Sequence, residues 1–150
     1  MERYIKNMEE NIKLDIDNID EFGRNLLQEA ICSCQESVAK DLINNGIDIN
    51  HQDNMGQTPL HTCAQLGNTT TAKLLLQKRA KVNVIDAYGN TPLWYAVFYA
   101  RDDYQMVKLF LKYGADTHHK NKAHRSPIDF AQQIEDTDLV KILLNNESSD

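Results

Sequence analysis

The chain repeats itself, and the period of the repeat decides what it can fold into. "DNMGQTPLHTCA" begins at Asp53 and "DAYGNTPLWYAV" at Asp86, so one pattern returns after 33 residues. A period earlier, "DEFGRNLLQEAI" from Asp20 keeps the Asp, the Gly and the apolar Leu26 and Leu27; "NKAHRSPIDFAQ" follows from Asn121 at a spacing of 35. The second half of the unit recurs in step, as "AKDLINNGIDIN" from Ala39, "AKLLLQKRAKVN" from Ala72, "VKLFLKYGADTH" from Val107 and "VKILLNN" from Val140. A unit this short buries its apolar face only against copies of itself, so the chain must stack.

The words of one unit spell out its parts. Asp followed three residues later by Gly supplies a tight turn in which the Gly takes positive φ. Thr or Ser before Pro supplies a helix cap and a Pro in the first helical position. The apolar residues after it are few and close, so that helix is short. A second helix with "KLLL"-type spacing follows and ends at Gly46 or Gly114. The expected architecture is all-α: four helix-turn-helix repeats joined by hairpin-like turns.

With Thr58-Pro59-Leu60-His61 matched outright, Thr91-Pro92-Leu93 and Ser126-Pro127-Ile128 in part, and endings such as Gly114-Ala115-Asp116 and Ala80-Lys81-Val82-Asn83, the pattern resembles the ankyrin repeat family. The resemblance covers about residues 14–147 and implies an ankyrin-repeat solenoid in a single domain. Residues 20–52, 53–85, 86–120 and 121–147 are then repeats 1 to 4, with 148–150 a solvated tail. "LDID" from Leu14 lies 33 residues before "IDIN" from Ile47, and Tyr4, Ile5, Met8 and Ile12 fall at helical spacing. Residues 1–19 are therefore expected to hold an N-terminal capping helix.

Departures from the repeat carry the individual information. His124 stands where the other turns have Gly23, Gly56 and Gly89, and Arg79 replaces a helix-ending Gly; positive φ there costs a non-glycine residue about 1 kcal/mol. Asn25 and Leu26 replace Thr and Pro, which predicts a less firmly set first helix. Repeat 3 departs most. Ala64 to Leu74 is ten steps but Val97 to Leu109 is twelve, so two residues are inserted within about Tyr99 to Asp102. The expectation is a longer first helix or a bulged turn carrying Arg101, Asp102, Asp103 and Tyr104 outward. Six of the eleven aromatic residues also lie between Tyr88 and Tyr104. Trp94 replaces the signature His, which in the family ties adjacent repeats by hydrogen bonds, and either packs between first helices or adds to a surface. Tyr95 and Phe98 stand where repeat 2 has Thr62 and Gln65, positions that can face water.

Several chemistries are disfavoured. A net charge of −6 and a pI near 5.3 argue against nucleic acid and anionic membrane surfaces. No phosphate-binding, metalloprotease or nucleophile-elbow motif occurs, so no catalytic residue and no cofactor is assigned. Cys63 aligns with Ala30 and Ala96 in a small-residue slot. Cys32 and Cys34 splay by roughly 200° on a helix, which disfavours zinc. His118, His119 and His124 gather near the last turn, but adjacent histidines in extended backbone point apart. Three cysteines and an N-terminus without an apolar run lead us to expect reduced thiols and a cytoplasmic protein.

The resemblance implies a protein that works by binding another protein on the face made of turn tips and first helices. Carried over by position, the tips are Phe22 and Arg24, Met55 and Gln57, Tyr88 and Asn90, Ala123 and Arg125; the inner helix positions are Cys32, Gln65, Phe98 and Gln133. The expected partner-binding set is Phe22, Arg24, Met55, Gln57, Gln65, Tyr88, Asn90, Trp94, Tyr95, Phe98, Arg101, Asp102, Asp103 and Tyr104. Charge is uneven, −6 over residues 1–52 and +3 over residues 53–85, and an acidic flank would steer a basic partner. "GNTPLWYAVF" and the small acidic format are similar to bacterial ankyrin proteins encoded beside secreted toxins. That resemblance implies an immunity protein or antitoxin, a monomer on its own, that blocks a basic toxin domain; the alternative is a cytosolic scaffold or regulator of a host protein.

Overall fold

A computed structural model describes residues 16–145. The expected capping helix within residues 1–19 lies almost wholly outside the described residues, as does the tail at 148–150. Eight α-helices follow one another among the described residues: α1 (Leu26–Cys32), α2 (Glu36–Asn44), α3 (Pro59–Leu66), α4 (Thr69–Gln77), α5 (Pro92–Phe98), α6 (Gln105–Lys112), α7 (Pro127–Gln133) and α8 (Thr137–Asn145). Each odd-numbered helix packs on the even-numbered helix after it. The first helices stack in the order α1, α3, α5, α7, and α2, α4 and α6 form a second layer.

The helices are seven to nine residues long. Isolated helices in water need roughly 12–15 residues, so these persist only because they are packed. Leu27, Ile31 and Leu42 of repeat 1, Leu60 and Leu75 of repeat 2, Leu93 and Phe110 of repeat 3 and Leu139 and Leu143 of repeat 4 form one continuous buried cluster. Cys63 is fully buried in it, and burial pushes its thiol pKa well up, consistent with a small hydrophobe.

Helix starts are better defined than the sequence suggests for repeat 1. Asn25 accepts from the Gln28 N–H at 3.0 Å, and the Gln28 side chain accepts from the Asn25 N–H at 3.0 Å, a complete capping box without Thr or Pro. The expectation of a loosely set helix is corrected by this pair.

Each repeat opens with the same turn. The side-chain oxygen of Asp20, Asp53, Asp86 or Asn121 accepts from the backbone N–H groups two and four residues on, at 2.9–3.1 Å. Successive turns are then joined by backbone bonds: Asn54 N–H to Phe22 O (3.0 Å), Ala87 N–H to Met55 O (2.8 Å) and Lys122 N–H to Tyr88 O (3.0 Å). Behind them the Gln28 amide donates to Gln57 O at 2.8 Å, and His61 Nε2 meets Asn90 O at 2.9 Å. His61 Nδ1 accepts from the Thr58 N–H, so Nε2 carries the proton and donates.

The turn glycines are required by these contacts as well as by φ. Gly23 sits at φ 75°, and a Cβ there would lie 2.8 Å from the Asn54 backbone nitrogen. His124 adopts the same conformation, φ 61°, at the last described turn, where its side chain is exposed. Arg79 likewise takes φ 67° in place of Gly46 and Gly114.

Gly23→Ala should destabilise the protein by about 1–3 kcal/mol, whereas His124→Gly should stabilise it by up to about 1 kcal/mol, measured by chemical denaturation. Burial holds the His61 pKa below its ordinary 6.5 in the fold, so the unfolded chain takes up that proton first. Stability should be full above about pH 6.5 and fall as the pH drops below it. His61→Gln, which places in repeat 2 the residue that repeat 1 already uses, should keep the fold and flatten thermal stability between about pH 7 and pH 5.

Candidate functional site

The turn ladder locks the backbone of Phe22, Met55 and Tyr88 through their own carbonyls and leaves their side chains outside. They are 57%, 43% and 57% exposed, at successive spacings of 33 residues, and so form an apolar column across repeats 1 to 3. Ala123, also exposed, continues it in repeat 4. Arg24, half-buried, bonds Asp20 through Nε at 2.8 Å and lies over the Phe22 ring at 5.0 Å, which fixes that end.

A second apolar group lies on the first helices of repeats 3 and 4. Phe98, 49% exposed, contacts Tyr99 edge-on at 5.0 Å and faces Phe130 at 5.3 Å with the planes tilted by 34°. Trp94 is half-buried and meets Phe130 edge-on at 5.5 Å, so repeats 3 and 4 are coupled at this position through rings. Phe130 was missed by sequence reasoning. It stands 35 residues after Tyr95, in the same column of the repeat, and that alignment was the available signal.

Several expected surface residues also bond into the scaffold. Tyr95 is half-buried and its hydroxyl bonds the buried Asp86 carboxylate, with Gln57 and Asn90 side chains donating to that hydroxyl at 3.3 Å. Burial, and then the bond to Asp86, push the Tyr95 pKa up to about 12. Its ring also stands edge-on to His61 at 5.9 Å. Asn90 is only 8% exposed, and its side chain accepts from the Asn121 amide at 2.8 Å. The expectation of Asn90 as an open tip is thus corrected: the turn closes through its backbone and the next repeat covers its side chain. Gln57 and Gln65 are half-buried, with the Gln65 amide donating to Gln57 at 3.3 Å.

The insertion in repeat 3 is a bulged turn, since α5 ends at Phe98 and is no longer than its counterparts. Arg101 and Asp102 take φ 43° and 67° in succession and are exposed, as is Asp103. Tyr104 is not carried outward with them. It is half-buried against the core, and its hydroxyl bonds both oxygens of Asp136 in repeat 4 at 3.0 and 2.9 Å.

Of the histidines near the last turn, His119 is structural: its Nε2 bonds Gly89 O at 3.0 Å. Among the described residues no three metal-ligating side chains converge, and no helix is long and apolar enough to cross a membrane.

A sequence model described as "Ankyrin repeats (3 copies)" matches residues 27–121. Over 45 residues the chain is 40% identical to NF-kappa-B inhibitor zeta from Homo sapiens, and equally to that from Mus musculus. The aligned stretch is 30% of this chain and 6% of either relative, so the chain spans only a small part of them.

The division between scaffold and surface is measurable by denaturation. Tyr95→Phe, which strips a hydrogen bond from a buried carboxylate, should cost about 1–2 kcal/mol, while Tyr88→Ala and Phe98→Ala should each stay within about 1 kcal/mol.

Proposed function

The chain belongs to the ankyrin repeat family, whose repeats are protein–protein interaction modules, and from that premise we propose that it binds a partner protein and holds it inactive. The observation that carries this reading is the exposed column Phe22, Met55, Tyr88, together with the exposed Phe98 and Tyr99 at the end of α5. Large apolar side chains on a backbone already locked by hydrogen bonds bind with little further loss of entropy. Aromatic anchors ringed by charge are also what interface hot spots are made of.

For the partner we propose a basic toxin domain, with this chain as its immunity protein or antitoxin. The acidic balance of the chain supports a basic partner, through charge steering, and the family format noted above supports the neutralising role. Arg101, Asp102 and Asp103 in the bulged turn are exposed at one end of the aromatic group and belong to the same proposed surface, together with Gln57, Gln65 and Trp94 at its margins. The second reading, a regulator of a host protein, is favoured by the short likeness to a protein named as an inhibitor.

Co-expression with the product of the neighbouring reading frame separates the two readings. Rescue of growth from that product's toxicity is the expected outcome. Absence of toxicity, or absence of rescue while the protein is soluble, would overturn the immunity reading. For the surface itself, Tyr88→Ala or Phe98→Ala should weaken binding to the partner by about tenfold or more without unfolding the chain.

A further inference from the structure

The two inserted residues of repeat 3 build one wall of a groove whose other wall is repeat 4. It encloses about 470 Å³, and its lining divides into two chemistries. Phe98, Phe130 and Ile134 make it apolar, with the two rings 5.3 Å apart and their planes tilted by 34°. Asp102, Glu135, Asp136 and Asp138 make it acidic.

These carboxylates are not equivalent. Asp136 is committed, since it accepts from the Tyr104 hydroxyl and from the Leu139 N–H at 3.0 Å. The side chains of Asp102, Glu135 and Asp138 are exposed and make no hydrogen bond or ion pair among the described residues. Arg101 is the one basic residue in the lining, so negative charge is in excess. The Tyr104 hydroxyl reports the same field. Loss of solvent and the bond to Asp136 push its pKa up to about 12, with Asp102 and Asp138 adding to the shift. The groove therefore combines flat aromatic faces with uncompensated carboxylates, a pairing suited to a cation that is itself flat.

We propose that the groove between the repeat 3 insertion and repeat 4 receives an arginine side chain of the bound protein, its guanidinium stacked on Phe98 and Phe130 and hydrogen-bonded by Asp102 and Asp138. An ammonium group would satisfy the charge but not the faces, whereas a guanidinium stacks and presents a fork of donors to carboxylates. The assignment rests on the reading of the chain as a binder of a basic protein and names one anchor of that partner.

The test uses the full chain and three small probes followed by NMR: N-acetyl-arginine methylamide, its citrulline counterpart, which has the same shape without the charge, and its lysine counterpart. Saturable shifts centred on Phe98, Phe130 and Ile134 are expected with arginine, with affinity at least about fivefold weaker for citrulline and for lysine. The exposed-residue double variant Asp102→Asn/Asp138→Asn should weaken the arginine probe by about threefold or more while its circular dichroism stays unchanged. Equal affinities for arginine and citrulline, lysine binding as tightly as arginine, no saturable shifts, or an unaffected double variant would each overturn the assignment. A failure of this kind with partner binding still sensitive to Tyr88→Ala would remove the arginine anchor and leave the binding surface standing.

Discussion

Everything in this fold depends on how one turn is fastened to the next. A single repeat has two helices too short to persist alone and one apolar face it cannot cover. The backbone bonds from Asn54 to Phe22, Ala87 to Met55 and Lys122 to Tyr88 set the register in which those faces meet. The Gln28 amide and the His61 imidazole repeat the connection one layer deeper. Both side chains cap their own helix and bond the next repeat's turn, so starting a helix and joining repeats are one act. Gln28 in repeat 1 and His61 in repeat 2 both meet this double demand, and Trp94 marks a change of strategy. There the contact with repeat 4 is made by ring packing on Phe130.

The same fastening produces the candidate binding surface. The residues whose carbonyls accept the ladder bonds are those whose side chains stand exposed, so the column of Phe22, Met55 and Tyr88 is presented on backbone that has already been ordered. The two-residue insertion acts differently. It spends left-handed backbone at Arg101 and Asp102, which non-glycine residues adopt only at a cost of roughly 1–3 kcal/mol each, and opens a groove beside the aromatic group. Tyr104, bonded to Asp136, ties the second helix of repeat 3 to repeat 4 just behind the bulge. Arg79 and His124 take left-handed backbone singly, where other repeats have Gly; only in this turn do two such residues follow one another.

The period of 33, the family and the core positions were legible in the sequence because each depends on spacing alone. Leu27, Leu60 and Leu93 recur and are all fully buried. The exposure of Phe22, Met55 and Tyr88 was legible for the same reason. What was not legible depended on partners one repeat away. Asn90 was expected at an open tip, but whether it is open depends on Asn121, 31 residues on. Tyr95 was expected on the surface because Thr62 is polar, yet its hydroxyl has a buried carboxylate to reach in Asp86, which only the folded turn positions. Phe130 takes its role from Trp94 and Phe98 in the repeat before, and in the sequence only its alignment with Tyr95, 35 residues earlier, points to it.

The turn tips are held as a continuous hydrogen-bonded ladder, which makes the exposed column a rigid surface before any partner arrives. Amide hydrogen exchange at Asn54, Ala87 and Lys122 tests this most directly, since these three N–H groups are the rungs. All three should be protected by at least about a hundredfold over an unstructured chain, and should exchange together with core amides such as those of α3 and α5. Exchange of the three amides at the rate of free turns, with the helices still protected, would contradict it.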